Sequence, residues 1–300
     1  MEDLKIDGLG VALITPFNKN NTVDFDALGS IIDDSLDARV DYLIVTGTTA
    51  ETPTLSSEEK KNISEFVKNK VNGKIPLVRG IGGNNTMEVA RELSTTDLDG
   101  FSAVLSVTPF YSKPSQEGLF LHFKTLANAS PLPLILYNVP GRTGVNLSTS
   151  TVLRLAKECP GIMAIKESSG NMRQCEEIAK TTPEGFYLIS GDDANTTTLM
   201  EYGAIGVISV LANAFPAIMK SIVTHCKEGN FEDAKRLQDL IAPVNKYLFE
   251  DGNPAGIKSL LYSLGKIENR LRLPLVSASP EVELKLAKEI PHLKNLTANL

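Results

Sequence analysis

An α/β fold is predicted for this chain of 300 residues, a (β/α)8 TIM barrel with a C-terminal helical extension, on three observations. Eight short apolar runs recur along the chain, amphipathic stretches of helical period fill the gaps between them, and beyond residue 229 the pattern becomes helical alone. Continuous apolar strands belong to a parallel sheet covered by helices, and eight strand and helix units close into a barrel. The expected organisation is a barrel over residues 1–229 and a helical domain over residues 230–300.

In chain order the runs are GVALITPF (10–17), YLIVTGTT (42–49), PLVRGIGG (76–83), AVLSVTPF (103–110), PLILYNVP (133–140), IMAIKESS (162–169), YLISGDD (187–193) and GVISVLAN (206–213). Each is four to eight apolar-rich residues ending in turn-forming or polar residues, the pattern of a buried strand. Between them, residues 24–37, 56–71, 115–129 and 148–159 place apolar side chains three and four apart, as helices do. Ser56 followed by Glu59 fits a capping box. In the tail, residues 231–249, 254–265 and 279–293 read as helices, separated by breaks at Asp251-Gly252-Asn253-Pro254 and Leu273-Pro274.

Composition narrows the function classes. A net charge of −6 with no basic run offers nucleic acid no electrostatic footprint. No apolar run approaches the roughly 18 to 20 residues needed to span a bilayer, and the start MEDLKIDGLG lacks the pattern of a secretory signal, so a cytoplasmic protein is expected. Cys159, Cys175 and Cys226 form no CxxC pair, and His122, His225 and His292 are scattered. Neither a disulfide framework nor a histidine- or cysteine-based metal site is expected.

In a barrel of this kind the active site lies at the carboxyl ends of the strands, and here those ends are chemically rich. Lys166 ends the sixth run. It reads either as a rim cation paired with a carboxylate such as Glu167, or as an amine nucleophile, since a desolvated site favours the neutral amine that attacks a carbonyl. Tyr137 shares a side of its strand with Ile135, and so either fills the core or points into the barrel mouth, where a phenol can pass protons. Gly47-Thr48-Thr49 is either a plain strand-to-helix turn or a cradle of N–H groups and hydroxyls for a carboxylate. Arg142, in a Pro-Gly turn, is either solvated or a bidentate grip on a substrate carboxylate. Tyr111 lies just past the fourth run. Asp192 and Asp193 read as the acidic start of a helix.

Six motifs in order, GTTAETPTLS (47–56), FYSKPSQEGLFLHF (110–123), ILYNVPGRTG (135–144), AIKESSGN (164–171), SGDD (190–193) and GVISVLAN (206–213), resemble the dihydrodipicolinate synthase and N-acetylneuraminate lyase family of class I, Schiff-base pyruvate aldolases. The resemblance extends over the whole chain, and YNVPGRTG resembles the dihydrodipicolinate synthase branch. It implies condensation of pyruvate with L-aspartate-4-semialdehyde on the diaminopimelate and lysine pathway, with no cofactor and no metal. Lys166 would form the imine with pyruvate, and Tyr137, Thr49 and Tyr111 would relay protons. Thr48 and Thr49 would hold the pyruvate carboxylate and Arg142 the second substrate, while Gly191 and the main-chain oxygen of Ile208 would line the pocket. In family members the tyrosine matching Tyr111 reaches into a neighbouring subunit, which implies a dimer as the least functional unit and a homotetramer, a dimer of dimers, as the assembly.

This chain departs from the family pattern in two places. Ala50 stands where glycine is usual after the two threonines. At the position of the lysine feedback site, Asn84 and Glu88 match inhibited members, whereas Phe110 replaces a tyrosine and Lys60 replaces a histidine. The resemblance therefore carries over a candidate allosteric site with two residues changed. Two alternatives keep the barrel: a sister aldolase cleaving N-acetylneuraminate or a 2-keto-3-deoxy sugar acid by the same imine, and a non-catalytic barrel that binds a keto acid.

Overall fold

The structure, a computed structural model, describes residues 6–300. The eight strands are β1 (Gly8–Ala12), β2 (Tyr42–Val45), β3 (Leu77–Gly80), β4 (Ala103–Val107), β5 (Leu134–Asn138), β6 (Ile162–Glu167), β7 (Tyr187–Ser190) and β8 (Gly206–Ser209). They are hydrogen-bonded in chain order into one closed barrel, the (β/α)8 fold expected from the eight runs. The helices are α1 (Phe25–Asp37), α2 (Ser57–Val71), α3 (Thr86–Thr95), α4 (Gln116–Ala129), α5 (Pro140–Thr143), α6 (Thr149–Glu158), α7 (Met172–Thr181), α8 (Thr196–Glu201) and α9 (Pro216–Lys227). They continue with α10 (Phe231–Leu240), α11 (Ala242–Glu250), α12 (Ala255–Ser263) and α13 (Pro280–Ala298).

The helix starts follow capping chemistry. Asp24, Ser115, Ser148 and Asn171 each accept a hydrogen bond from a backbone N–H of the first turn of α1, α4, α6 and α7. At α2 the capping box forms completely, with Ser56 Oγ taking the Glu59 N–H and the Glu59 carboxylate taking the Ser56 N–H. Two boundaries differ from expectation. β1 begins at Gly8 and leaves the ladder early, because the Ile14 N–H is claimed by the Asn213 side chain and Pro16 has none to offer. The helix expected over 231–249 is two helices, α10 and α11, parted where Pro243 cannot continue the i to i−4 ladder.

The described chain forms two compact units, one of Ile6, Asp7 and Pro76–Ile208, the other of Gly8–Ile75 and Ser209–Leu300. In the first, register pairs run Leu105 with Ile135, Tyr137 with Lys166 and Lys166 with Ile189. Strand alternation puts Ile135, Tyr137, Ala164 and Lys166 on the inner face and Leu134, Leu136, Asn138, Ile165 and Glu167 on the face toward the helices. Leu119, Phe120 and Phe123 of α4, Val152 and Leu155 of α6, and Ile178 of α7 are buried as well.

In the second unit Val11 and Leu43 are register partners, and the Asp41 carboxylate takes the Leu9 N–H at 2.7 Å and the Lys220 ammonium at 2.7 Å. Asn213 donates to the Ala12 carbonyl at 2.8 Å while accepting from Ile14. The carboxy-terminal helices bury Leu248, Ile257, Leu260, Leu261, Leu286 and Leu293. Among the described residues no helix is long and apolar enough to cross a membrane. All three cysteines are buried and outside any disulfide.

Candidate active site

Lys166 is 6% exposed at the end of β6. Its register partner is Tyr137, and Lys166 Nζ stands 4.3 Å from the centroid of the Tyr137 ring. The amine therefore sits over a phenol ring rather than against Glu167. Consecutive strand residues face opposite ways, so Glu167 is turned from it toward the helices. An ammonium over a ring face is favoured by the ring quadrupole, and the same contact holds the amine in one place.

Gly191 completes this corner. Its N–H donates to the Glu167 carbonyl at 2.8 Å, and its carbonyl accepts from Ser168 Oγ at 3.0 Å. A Cβ at this position would stand 1.9 Å from Ser168 Oγ and 2.8 Å from Lys166 Cε, so the absence of a side chain leaves room for the serine hydroxyl and the lysine stem together. Ile208, buried in β8, belongs to the same unit.

Arg142 is exposed on the single turn of α5, which Pro140 opens and Gly144, at a φ of 74°, closes. The Pro-Gly turn expected there is a single helical turn. Tyr111 is 89% exposed and adopts a φ of 71°, a left-handed conformation that disfavours any residue with a Cβ. Its backbone is held there by a hydrogen bond from the Tyr111 N–H to the Thr143 carbonyl at 3.3 Å. Asp192 caps the turn at Asp193–Asn195 by accepting from the Ala194 N–H, the structural role expected for it.

Behind the inner pair lies a polar network that the motifs only hinted at. Asn138 Nδ2 donates to both Glu167 carboxylate oxygens at 3.2 and 3.0 Å and to Asn146 Oδ1 at 2.8 Å. Gln174 Nε2 from α7 and the Ser169 N–H donate to the same carboxylate at 3.1 and 2.7 Å. Burial pushes the Glu167 carboxyl above its usual range, against the opposing pull of the hydrogen bonds from Asn138, Ser169 and Gln174. The carboxylate thus ties the last residue of β5, the loop before α6 and the first turn of α7 to the last residue of β6.

In the second unit Thr48 and Thr49 form a short 3₁₀ turn at Thr48–Ala50. Thr49 is 2% exposed, and Asn253, just before α12, donates to its hydroxyl oxygen at 3.0 Å. Ala50 is buried, and its carbonyl accepts from Thr15 Oγ1 at 2.8 Å. Glu51 follows at a φ of 55°. Its carboxylate pairs with Lys258 of α12, both side chains being fully buried, and also takes the Arg272 N–H at 3.0 Å. Burial lowers the Lys258 ammonium to about 8 against the attraction of Glu51. Arg272 in turn forks onto both Glu59 oxygens at 2.8 and 2.6 Å and stacks over Phe17, with Cζ 4.3 Å from the ring centroid. Asn253 and Lys258 were not singled out from the sequence, since a polar residue in a helical tail carries no sign of what it will meet.

Among the candidate allosteric residues, Asn84 Nδ2 reaches the Phe110 carbonyl at 3.4 Å, and both side chains are exposed. Glu88 lies exposed in the first turn of α3, and Lys60 is half-buried on α2. Among the described residues no group of three or more His, Cys, Asp or Glu has the arrangement to hold a metal ion.

A family model described as the dihydrodipicolinate synthetase family matches residues 5–293. A Parabacteroides distasonis protein named 4-hydroxy-tetrahydrodipicolinate synthase is 51% identical over 276 residues, 92% of this chain and 93% of its own length. One of the same name from Phocaeicola vulgatus is 48% identical over the same shares. The crystal structure of dihydrodipicolinate synthase from Aquifex aeolicus superposes with a TM-score of 0.92 at 41% identity, covering 97% of this chain and 99% of that one.

Proposed function

Since the chain belongs to the dihydrodipicolinate synthetase family, we propose that it condenses pyruvate with L-aspartate-4-semialdehyde through an imine on Lys166, as a 4-hydroxy-tetrahydrodipicolinate synthase of the diaminopimelate and lysine pathway. The observation that carries this is the buried amine of Lys166, 4.3 Å from the Tyr137 ring centroid. A nucleophilic amine needs a desolvated surround and a proton-transfer group near it, and the burial of Lys166 beside the Tyr137 ring supports that reading.

In the proposed chemistry the lysine amine attacks the pyruvate ketone, the carbinolamine loses water, and an iminium forms. The iminium draws electrons from the methyl group, which loses a proton to give the enamine that attacks the aldehyde carbon. Tyr137, Thr49 and Tyr111 are assigned the proton relay, Thr48 and Thr49 the pyruvate carboxylate, and Arg142 the carboxylate of the aldehyde substrate. Gly191 and the Ile208 carbonyl line the place of the ketone. The covalent imine does the work a cofactor would otherwise do. Tyr111, with its ring in solvent and its backbone held at a positive φ, has the exposure expected of a residue completing a neighbouring subunit's site. The functional assembly proposed is a dimer or a dimer of dimers.

Turnover of aspartate semialdehyde with pyruvate, compared with cleavage of N-acetylneuraminate and 2-keto-3-deoxy sugar acids, tests the substrate assignment. Condensation is expected to dominate. Replacing Arg142 by Ala removes a charge-assisted contact and is expected to cost about 10- to 100-fold in kcat/KM for the semialdehyde. Faster cleavage of a sugar acid by the unaltered protein would overturn the assignment.

A further inference from the structure

The carboxy-terminal segment reaches the hydroxyl of Thr49. Asn253 Nδ2 donates to Thr49 Oγ1 at 3.0 Å, between two buried side chains 204 residues apart in the chain. A threonine hydroxyl has one hydrogen to give and two lone pairs to offer. When an amide N–H occupies one lone pair, the hydroxyl hydrogen must point elsewhere, and the group becomes a directed donor.

The turn itself does not need Asn253 to hold its shape. Thr15 holds the Ala50 carbonyl at 2.8 Å, Thr52 Oγ1 holds the Gly47 carbonyl at 2.7 Å, and Lys258 with the Arg272 N–H holds the Glu51 carboxylate. The backbone of the turn is fixed by these contacts, and the Asn253 amide meets the turn at the Thr49 hydroxyl rather than at its backbone. We infer that Asn253 is a positioning residue that sets the donor direction of the Thr49 hydroxyl. This deepens the proposed function and rests on it, since a direction matters only if Thr49 passes a proton.

The test reverses the polarity of the hydrogen bond without changing its shape. In Asn253→Asp an ionised carboxylate can only accept, so the Thr49 hydroxyl must turn its hydrogen toward residue 253. The variant is expected to lose about 100-fold in kcat with KM for pyruvate within about threefold, the scale of a misdirected proton transfer. Its activity relative to the unaltered protein should rise as the pH falls, because the protonated acid can donate again. Asn253→Ala removes the donor without reversing it and is expected to lose about tenfold. In a Thr49→Val background the Asn253→Asp change should cost less than about twofold, since the group it acts through is gone.

The idea fails if Asn253→Asp and Asn253→Ala both keep kcat within about twofold. It also fails if the loss is undiminished in the Thr49→Val background, or if it tracks a fall in melting temperature with no pH dependence. Borohydride trapping of pyruvate on the unaltered protein separates this from failure of the imine reading. A trapped adduct with no Asn253 effect sinks the positioning role alone, whereas absence of the adduct sinks the reaction on which it rests.

Discussion

Asn138 and Glu167 are the register pair next to Tyr137 and Lys166, turned to the opposite face of the same two strands. The Asn138 amide spans both carboxylate oxygens of Glu167 at 3.2 and 3.0 Å. The reactive pair on the inner face is thereby backed by a polar clamp on the outer face, and the clamp is itself held by Gln174, Asn146 and the Ser169 N–H.

Removing the Glu167 carboxylate should therefore loosen both faces. Glu167→Ala leaves the amides of Asn138 and Gln174 without their shared acceptor, each at a cost of about 1–3 kcal/mol. Calorimetry is expected to show a melting temperature lower by several degrees, with kcat falling more than KM for pyruvate rises. Glu167→Gln should lie between the two, since it keeps the shape but offers an N–H where only acceptors fit. An unchanged melting temperature in Glu167→Ala would contradict the clamp.

The close approach of Gly191 to Lys166 gives a second expectation. The methyl group of Gly191→Ala would stand 1.9 Å from Ser168 Oγ and 2.8 Å from Lys166 Cε, and the backbone there needs no positive φ, so the effect is steric, turning the serine hydroxyl away and crowding the lysine stem. Misplacing the amine by a fraction of an ångström should slow imine formation by about tenfold or more. A time course of borohydride trapping reads this directly, with circular dichroism as a check on the fold. Trapping at the rate of the unaltered protein would show that the corner tolerates a side chain.

The Glu59 and Arg272 pair predicts an acid dependence. The Arg272 guanidinium holds the Glu59 carboxyl down to about 2, well below its ordinary 4.5. A carboxyl depressed in the folded state adds stability above its unfolded value, and that contribution is lost as the pH falls from 4.5 toward 2. Glu59→Gln should melt below the unaltered protein near neutral pH, with the gap narrowing on acidification and in high salt. Because the pair is partly exposed, the gap at neutral pH should be modest. A gap constant down to about pH 3 would place the stabilising contact elsewhere.

Much of the fold could be read along the chain because its signals are local. Eight apolar runs became eight strands, and Ser56, Ser115 and Ser148 cap the helices they were expected to open. The break at Pro243 is equally local, but the amphipathic pattern continues on both sides of it and reads as one helix. Lys166 and Tyr137 could be placed on one side because strand period and neighbouring position suffice for that. What a side chain 200 residues away will touch has no local signal. The Asn253 contact with Thr49, the Lys258 pairing with Glu51 and the Arg272 fork on Glu59 depend on the packing of the carboxy-terminal segment. The Gln174 amide that meets Glu167, and the Asn146 side chain that meets Asn138, depend likewise on where the first turn of α7 and the loop before α6 are placed.

The most direct measurement is the intact mass of the protein after incubation with pyruvate and borohydride, followed by peptide mapping. The proposed mechanism requires one reduced pyruvyl group per chain on Lys166 and none in Lys166→Ala. No adduct, or an adduct on another lysine with Lys166 unmodified, would contradict it.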